Sequence, residues 1–222
     1  MVSKVLPVLA APNDAYLQVP GRDGSYMFPR ELVDGIIPIE CGFLTANTVD
    51  LMTTKRQISA WVYSKQKVRL IFDDEPDKFY WVKYDGVVGL DKLKTPGMGK
   101  FTLIFRCEPY AYSIVATSSA LAVNNLGTAP VFPIITATFT ATATEYKVLL
   151  AALYVRIVRN FIIGDVLVID MALSKVTVNG LRVMDKLDLS SRFFSIPAGA
   201  SVISPSPVGA ATPVVSYNAR WL

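Results

Sequence analysis

The chain has 222 residues, of which 52% are hydrophobic and 18% charged, and a formal net charge of +4. That balance excludes a disordered chain, and +4 is weak for a nucleic-acid grip. It contains no histidine, which removes every Ser-His, Cys-His and His-metal arrangement and leaves only carboxylate, Lys or Tyr chemistry for catalysis.

Charge is spread unevenly. Residues 1–117 carry 14 basic and 13 acidic groups, whereas residues 118–222 carry 8 and 5. The shift falls at the polar stretch Ala116-Thr-Ser-Ser-Ala120 and predicts two domains, 1–117 and 118–222. The N-terminal stretch Val5-Leu-Pro-Val-Leu-Ala-Ala11 only loosely resembles a signal peptide, being short, interrupted by Pro7 and preceded by one Lys. The longest clean apolar run, Val148 to Val155, is far short of a membrane span, so no membrane insertion is expected.

In chain order, Gly21-Arg22-Asp23-Gly24 predicts a tight turn after an extended Ala15–Pro20; no phosphate-loop spacing surrounds it. Strands are expected at Ile36–Phe43, Val68–Phe72, Lys78–Val88 and Phe101–Cys107, all short and rich in β-branched and aromatic residues. Phe101, Leu103, Phe105 and Cys107 alternate with Thr102, Ile104 and Arg106, the period of a half-buried strand. Between the first two strands the period changes. Leu51, Ile58, Trp61 and Val62 are spaced to share one face of a helix over Thr48–Ser64, capped by Asn47 or Thr48 with Asp50 in its first turn.

The second part reads as all-β. Thr136, Thr138, Thr140, Thr142 and Thr144 alternate with other residues over nine positions, predicting one continuous strand with a threonine face. Asn179-Gly180, flanked by Lys175–Val178 and Leu181–Val183, predicts a type I′ hairpin. Further strands are expected near Phe193–Ile196, Ser201–Ile203 and Val214–Tyr217, and the spacing points to a sandwich or jelly roll. Leu150–Phe161 fits either a strand or a helix.

Three groups could carry chemistry. Asp73-Asp74-Glu75-Pro76-Asp77 lacks the alternating ligands of a calcium loop and reads as a solvated turn, so no metal is expected. Lys55, Arg56, Lys65, Lys67 and Arg69 form a basic run; beside that acidic turn, Lys55, Arg56, Lys67, Arg69, Asp73 and Asp74 offer a two-sign surface suited to head-to-tail contact between identical subunits. Phe79, Tyr80, Trp81 and Tyr84 read as packing between layers rather than as a sugar platform. Cys41 and Cys107 read as buried free thiols. No catalytic residues and no cofactor are expected.

The order of segments resembles the distal tail protein family of siphophages. Its marks are Val19-Pro-Gly-Arg-Asp-Gly24, Arg56-Gln-Ile-Ser-Ala-Trp61, Arg69-Leu-Ile-Phe-Asp-Asp74, Phe79-Tyr-Trp-Val82 and Phe101-Thr-Leu-Ile-Phe-Arg-Cys-Glu-Pro109-Tyr110. Asn125-Leu-Gly-Thr-Ala-Pro130, Val176-Thr-Val-Asn-Gly180 and Tyr217-x-x-Arg220-Trp221 follow. Where the family pattern has Pro-x-Gly-x-Asn, this chain has Pro197-Ala-Gly-Ala-Ser201. The resemblance implies a mainly β fold: an N-terminal β-rich domain with one helix that forms a homo-hexameric ring, and a C-terminal galectin-like β-sandwich. It implies a structural role at the virion tail tip, after assembly in the host cytoplasm. The implied partners are the tail tube protein, a tail-tip or tail-associated protein and a receptor-binding protein, with DNA only passing through the channel. The alternative is a carbohydrate-binding sandwich, with Tyr146, Tyr154, Phe193, Phe194 or Tyr217 stacking a sugar.

Overall fold

The computed structural model describes residues 2–4, 11–28, 31–44, 48–86, 90–92 and 98–222. By its internal contacts the chain divides into two units, Met1–Ala111 (with Leu222) and Tyr112–Trp221.

The first unit is built from β1 (Val2–Lys4), β2 (Pro12–Asn13), β3 (Tyr16–Gln18), β4 (Ser25–Met27), β5 (Glu31–Leu32), β6 (Gly35–Leu44), α1 (Thr48–Val62), β7 (Val68–Phe72), β8 (Glu75–Tyr84), β9 (Leu90–Lys92) and β10 (Met98–Ser113). Its main sheet runs β1-β6-β10-β8-β7, with β9 also on β10. The alternation expected of Phe101, Leu103, Phe105 and Cys107 holds: all four are buried, together with Ile37, Ile39 and Val82. Ile58 and Val62 of α1 pack on that cluster, as do Leu70, Phe72, Tyr80 and Tyr84. The lone helix therefore covers one face of the sheet. Trp61 departs from expectation. It is 77% exposed, because the stripe that meets the sheet runs through Ile58 and Val62, four residues apart, and position 61 is rotated about 100° from Val62. The Leu51 side chain, the Thr48 and Asp50 side chains and Asn47 lie outside the described residues.

β8 begins at Glu75 rather than Lys78, so the acidic turn shrinks to Asp73-Asp74. Residues 87–89, the expected end of that strand, lie outside the described residues. β10 is longer than expected at both ends. The cysteines are free, Cys107 buried as expected and Cys41 only half-buried. Cys41 stands opposite Phe101 and Cys107 opposite Gly35, so six strand residues, about 20 Å, separate them. A disulfide needs Cα atoms within about 7 Å. Burial pushes both thiols up in pKa, which keeps them protonated and inert.

The second unit comprises β11 (Thr117–Ser119), β12 (Ala122–Asn125), β13 (Ile134–Phe139), β14 (Ala143–Leu150), β15 (Leu153–Phe161), β16 (Val166–Asp170), β17 (Lys175–Val178), β18 (Leu181–Arg182), β19 (Gly199–Ser206), β20 (Ala211–Tyr217) and β21 (Arg220–Trp221). It is a β-sandwich. One sheet is ordered β11-β20-β13-β16-β17-β18 and the other β12-β19-β14-β15. Inward residues of both form one core: Ile135, Phe139, Leu167 and Val215 from the first, Tyr146, Val148, Val155 and Ile203 from the second. Phe139 stacks on Phe161 at 4.1 Å between centroids and meets Tyr146 edge-on at 5.2 Å.

Three expectations are revised here. The threonine repeat is not one strand; it breaks at Thr140–Thr142, where the chain leaves β13 for β14. Simple alternation cannot report a turn whose residues happen to keep the period. Leu150–Phe161 is the second half of a hairpin, turned at Ala151 with φ +51°. No strand forms at Phe193–Ile196; Ile196 alone makes an isolated bridge to Val131.

Tyr146 is fully buried and its hydroxyl has no hydrogen-bond partner. Desolvation pushes its pKa up to about 12. Leaving a buried hydroxyl unpaired costs about 1–3 kcal/mol. Tyr146→Phe is therefore expected to leave the urea midpoint of the full chain unchanged or raised, whereas Tyr146→Ala, which opens a cavity beside Phe139, loses about 3–5 kcal/mol.

Candidate functional site

In the first unit, the expected turn at Gly21–Gly24 is present and closes an arm. β3 and β4 pair Tyr16 with Met27, Leu17 with Tyr26 and Gln18 with Ser25. The ladder continues inward: Phe28 N–H donates to Ala15 O, Pro12 stands opposite Leu32, and Val33 N–H donates to Ala11 O. At the tip, Arg22 N–H donates to Val19 O at 3.2 Å. Gly21 and Gly24 adopt φ of +81° and +82°, a conformation that side chains resist. The Arg22 guanidinium lies 3.9 Å from the centroid of Tyr26, and Asp23 is exposed beside it. Tyr16, Leu17, Tyr26 and Met27 are each more than half exposed. Adjacent residues of a strand point to opposite faces, so both faces of the arm carry bare apolar side chains.

The charged residues singled out by sequence behave differently from one another. Lys67 donates to Glu108 at 2.8 Å, a bond that raises the lysine pKa. Arg69 sits over Phe79 and Trp81, at 4.7 and 5.4 Å from the ring centroids. Arg56 is exposed on α1, Asp73 and Asp74 are exposed at the β7–β8 turn, and the Lys55 side chain lies outside the described residues. Pro109 and Tyr110 sit half-buried in β10. Among the described residues no cluster of acidic or thiol groups could hold a metal.

In the second unit, segments far apart in sequence meet. Asn125 is 1% exposed; its side-chain amide donates to Ala129 O at 2.9 Å and Pro197 O at 3.2 Å, while its Oδ1 accepts from Gly127 N–H. Ala129 N–H donates to Arg220 O, and the Arg220 guanidinium donates to Pro130 O. Tyr217 Oη donates to Asn124 O at 2.9 Å. The Asn125–Pro130, Pro197–Ser201 and Tyr217–Trp221 stretches are therefore one junction. Gly127 lies directly on the Arg220 backbone, where a Cβ would collide with its carbonyl. The Ser at position 201 does not disturb the turn, which Gly199 makes with φ +90°.

Asn179 and Gly180 have φ of +51° and +81°, the both-positive pattern of the type I′ hairpin. Sequence reading missed Asn179's partner. Its amide donates to Asp165 Oδ1 at 2.7 Å, and its Oδ1 accepts from Val166 N–H. Asp165 also accepts from Ile162 N–H. That backbone donor first, then the Asn179 amide, holds the carboxyl below the usual range. The signal was the Gly164-Asp165 pair after an apolar run, a turn mark. On the outer face of the four-stranded sheet, Arg156 ties Glu145 to Asp188. The stacking alternative is not supported by the geometry: Tyr146, Phe194 and Tyr217 are buried, and Lys147 Nζ lies over Tyr154 at 4.0 Å.

These features describe two β-rich units, with loops of the second tied at one junction and, among the described residues of the first, an arm with exposed apolar side chains. Residues 2–107 match the family model described as phage tail protein RIFT-related domain, and residues 126–221 that of siphovirus-type tail component, C-terminal domain. The distal tail protein of Bacillus phage SPP1 is 29% identical over 178 residues, covering 75% of this chain and 68% of that protein. The crystal structure of SPP1 Dit, described as a paradigm of the hub adsorption apparatus in phages infecting Gram-positive bacteria, superposes with a TM-score of 0.84 at 18% identity, covering 99% of this chain and 92% of that one. The chain belongs to the siphophage distal tail protein family. Both matched models describe phage tail proteins, and its relatives are structural tail proteins rather than enzymes.

Two outcomes follow from the second unit. Gly127→Ala forces the junction apart and is expected to cost about 1–3 kcal/mol in urea denaturation, the range of overpacked sites. The lowered pKa of Asp165 means that its contribution is complete above the ordinary carboxylate value of about 3.9 and is lost as pH falls through the folded value. The stability gap between the native chain and Asp165→Asn, read as urea midpoints, is therefore expected to be widest near neutral pH and to close in acid.

Proposed function

We propose that six copies close into a ring at the tail tip, residues 1–117 forming the ring and the galectin-like residues 118–222 lying outside it. One face of the ring meets the tail tube protein and the other a tail-tip or tail-associated protein. The outer domains carry receptor-binding protein, DNA passes through the channel, and assembly takes place in the host cytoplasm. The observation that carries this reading is the arm. A lone two-stranded hairpin is at best marginal in water, and one with Tyr16, Leu17, Tyr26 and Met27 bare on both faces calls for a covering surface. The main sheet of the same unit also ends in β1 on one side and β7 on the other, two different edges of the kind that head-to-tail contact joins. Lys67, Arg69, Asp73 and Asp74 lie along or beside β7, where charge sets register rather than strength.

Native mass spectrometry of the full chain with its tail tube partner is expected to give a species of about six times the 24.3 kDa chain mass, visible as a ring in negative stain. Leu17→Asp combined with Met27→Asp is expected to shift it to monomer with the thermal midpoint of the second unit unchanged. A native chain that stays monomeric with that partner sinks the reading.

A further inference from the structure

The four-stranded sheet of the second unit has an unfinished seam. β14 pairs with β19 only over Lys147–Leu150, with Lys147 opposite Ser206. Continued, that register would set Tyr146 against Pro207, which has no N–H to give. The chain instead swings away after Ser206 and returns at Ala210, whose carbonyl accepts from Thr140 and Ala141 N–H. On its other side β14 has a register shift against β15 between Ala143 and Glu145, where a bulge leaves a residue unpaired. Ala143–Tyr146 thus border a gap beside the end of β19.

The gap is a cleft of about 650 Å³, within the range of small-ligand sites. Its walls carry three hydroxyls (Thr142, Thr144, Ser206), the Asn160 amide and the Glu145 carboxylate, with Ile162 and Pro207 as apolar surfaces. No Lys or Arg lines it. Glu145 is held in place by Arg156, which it shares with Asp188, so one acidic charge of the three remains in excess. That arrangement repels anions. It suits a ligand with many neutral hydroxyls: Thr and Ser donate and accept, the amide does both, the fixed carboxylate accepts, and the aliphatic surfaces meet a C–H face. Four strand residues span about 13 Å, the length of one or two pyranose rings.

We propose that this cleft binds a neutral saccharide of one or two rings. The site uses none of the arm's residues and stands whether or not six copies assemble. Saturation-transfer difference NMR on the full chain, with maltose, lactose and N,N′-diacetylchitobiose as neutral probes and N-acetylneuraminic acid as the anionic one, tests it. Transfer to at least one neutral probe and none to the acid is expected. Asn160→Leu and Thr144→Val, each made separately and each with an unchanged thermal midpoint, are expected to weaken binding at least about fivefold, the loss of roughly one hydrogen bond. Absence of transfer to all three neutral probes, preference for the acid, or equal binding by both variants would overturn the assignment.

Discussion

Phe139 lying flat on Phe161, with Tyr146 against its edge, is the contact on which the second unit depends. It joins the two sheets at the point where the chain crosses between them, so neither sheet can slide without breaking it. Each aromatic buries a large area, and paired rings add about 0.5–1.5 kcal/mol beyond that burial. The loops around it are then fixed by hydrogen bonds rather than by apolar contact. Asp165 and Asn179 lock the turns near Phe139 to one another, and Asn125 ties three chain segments elsewhere in the unit. Asp165 and Asn125 are buried polar side chains with hydrogen-bond partners, which is how a sandwich acquires stiff ends.

That stiffness contrasts with the first unit. There the sheet is covered by Ile58 and Val62 of α1, but among the described residues the Tyr16–Met27 arm has no comparable cover. The difference is physical rather than decorative. A side chain such as Asn125 whose every donor is used has nothing left to offer a partner, whereas bare Leu17 and Met27 gain free energy from any apolar surface that fits them.

The legible parts of the sequence were those governed by local rules. Period two in Phe101–Cys107 marked a buried face because one side of β10 packs on the core and the other does not. Asn179-Gly180 marked its hairpin because few residue pairs accept positive φ twice. The same rules fail where neighbours in space decide the outcome. Trp61 fits a helical stripe by spacing, yet among the described side chains of α1 it is Ile58 and Val62 that pack on the sheet's core. Thr136–Thr144 keeps its alternation straight through a turn, because a bend that preserves the period is invisible to it. Asn125 was marked by the family pattern but by no local rule, since its partners Ala129 and Pro197 are set by tertiary contact. The paired cysteine question was likewise closed by register: opposite Phe101 and Gly35, the two thiols share a strand pair but not a neighbourhood.

The missing histidine takes its meaning from this division of labour. A histidine in either unit would add a charge that changes near neutral pH, and a charge of that kind at an interface makes the contact depend on the surroundings. Here several titratable groups that the fold engages are displaced away from neutrality. Asp165 is held ionised by Ile162 and Asn179, Lys67 is held protonated by Glu108, and the thiols and Tyr146 are kept neutral by burial. Those five groups therefore keep one charge state near neutral pH.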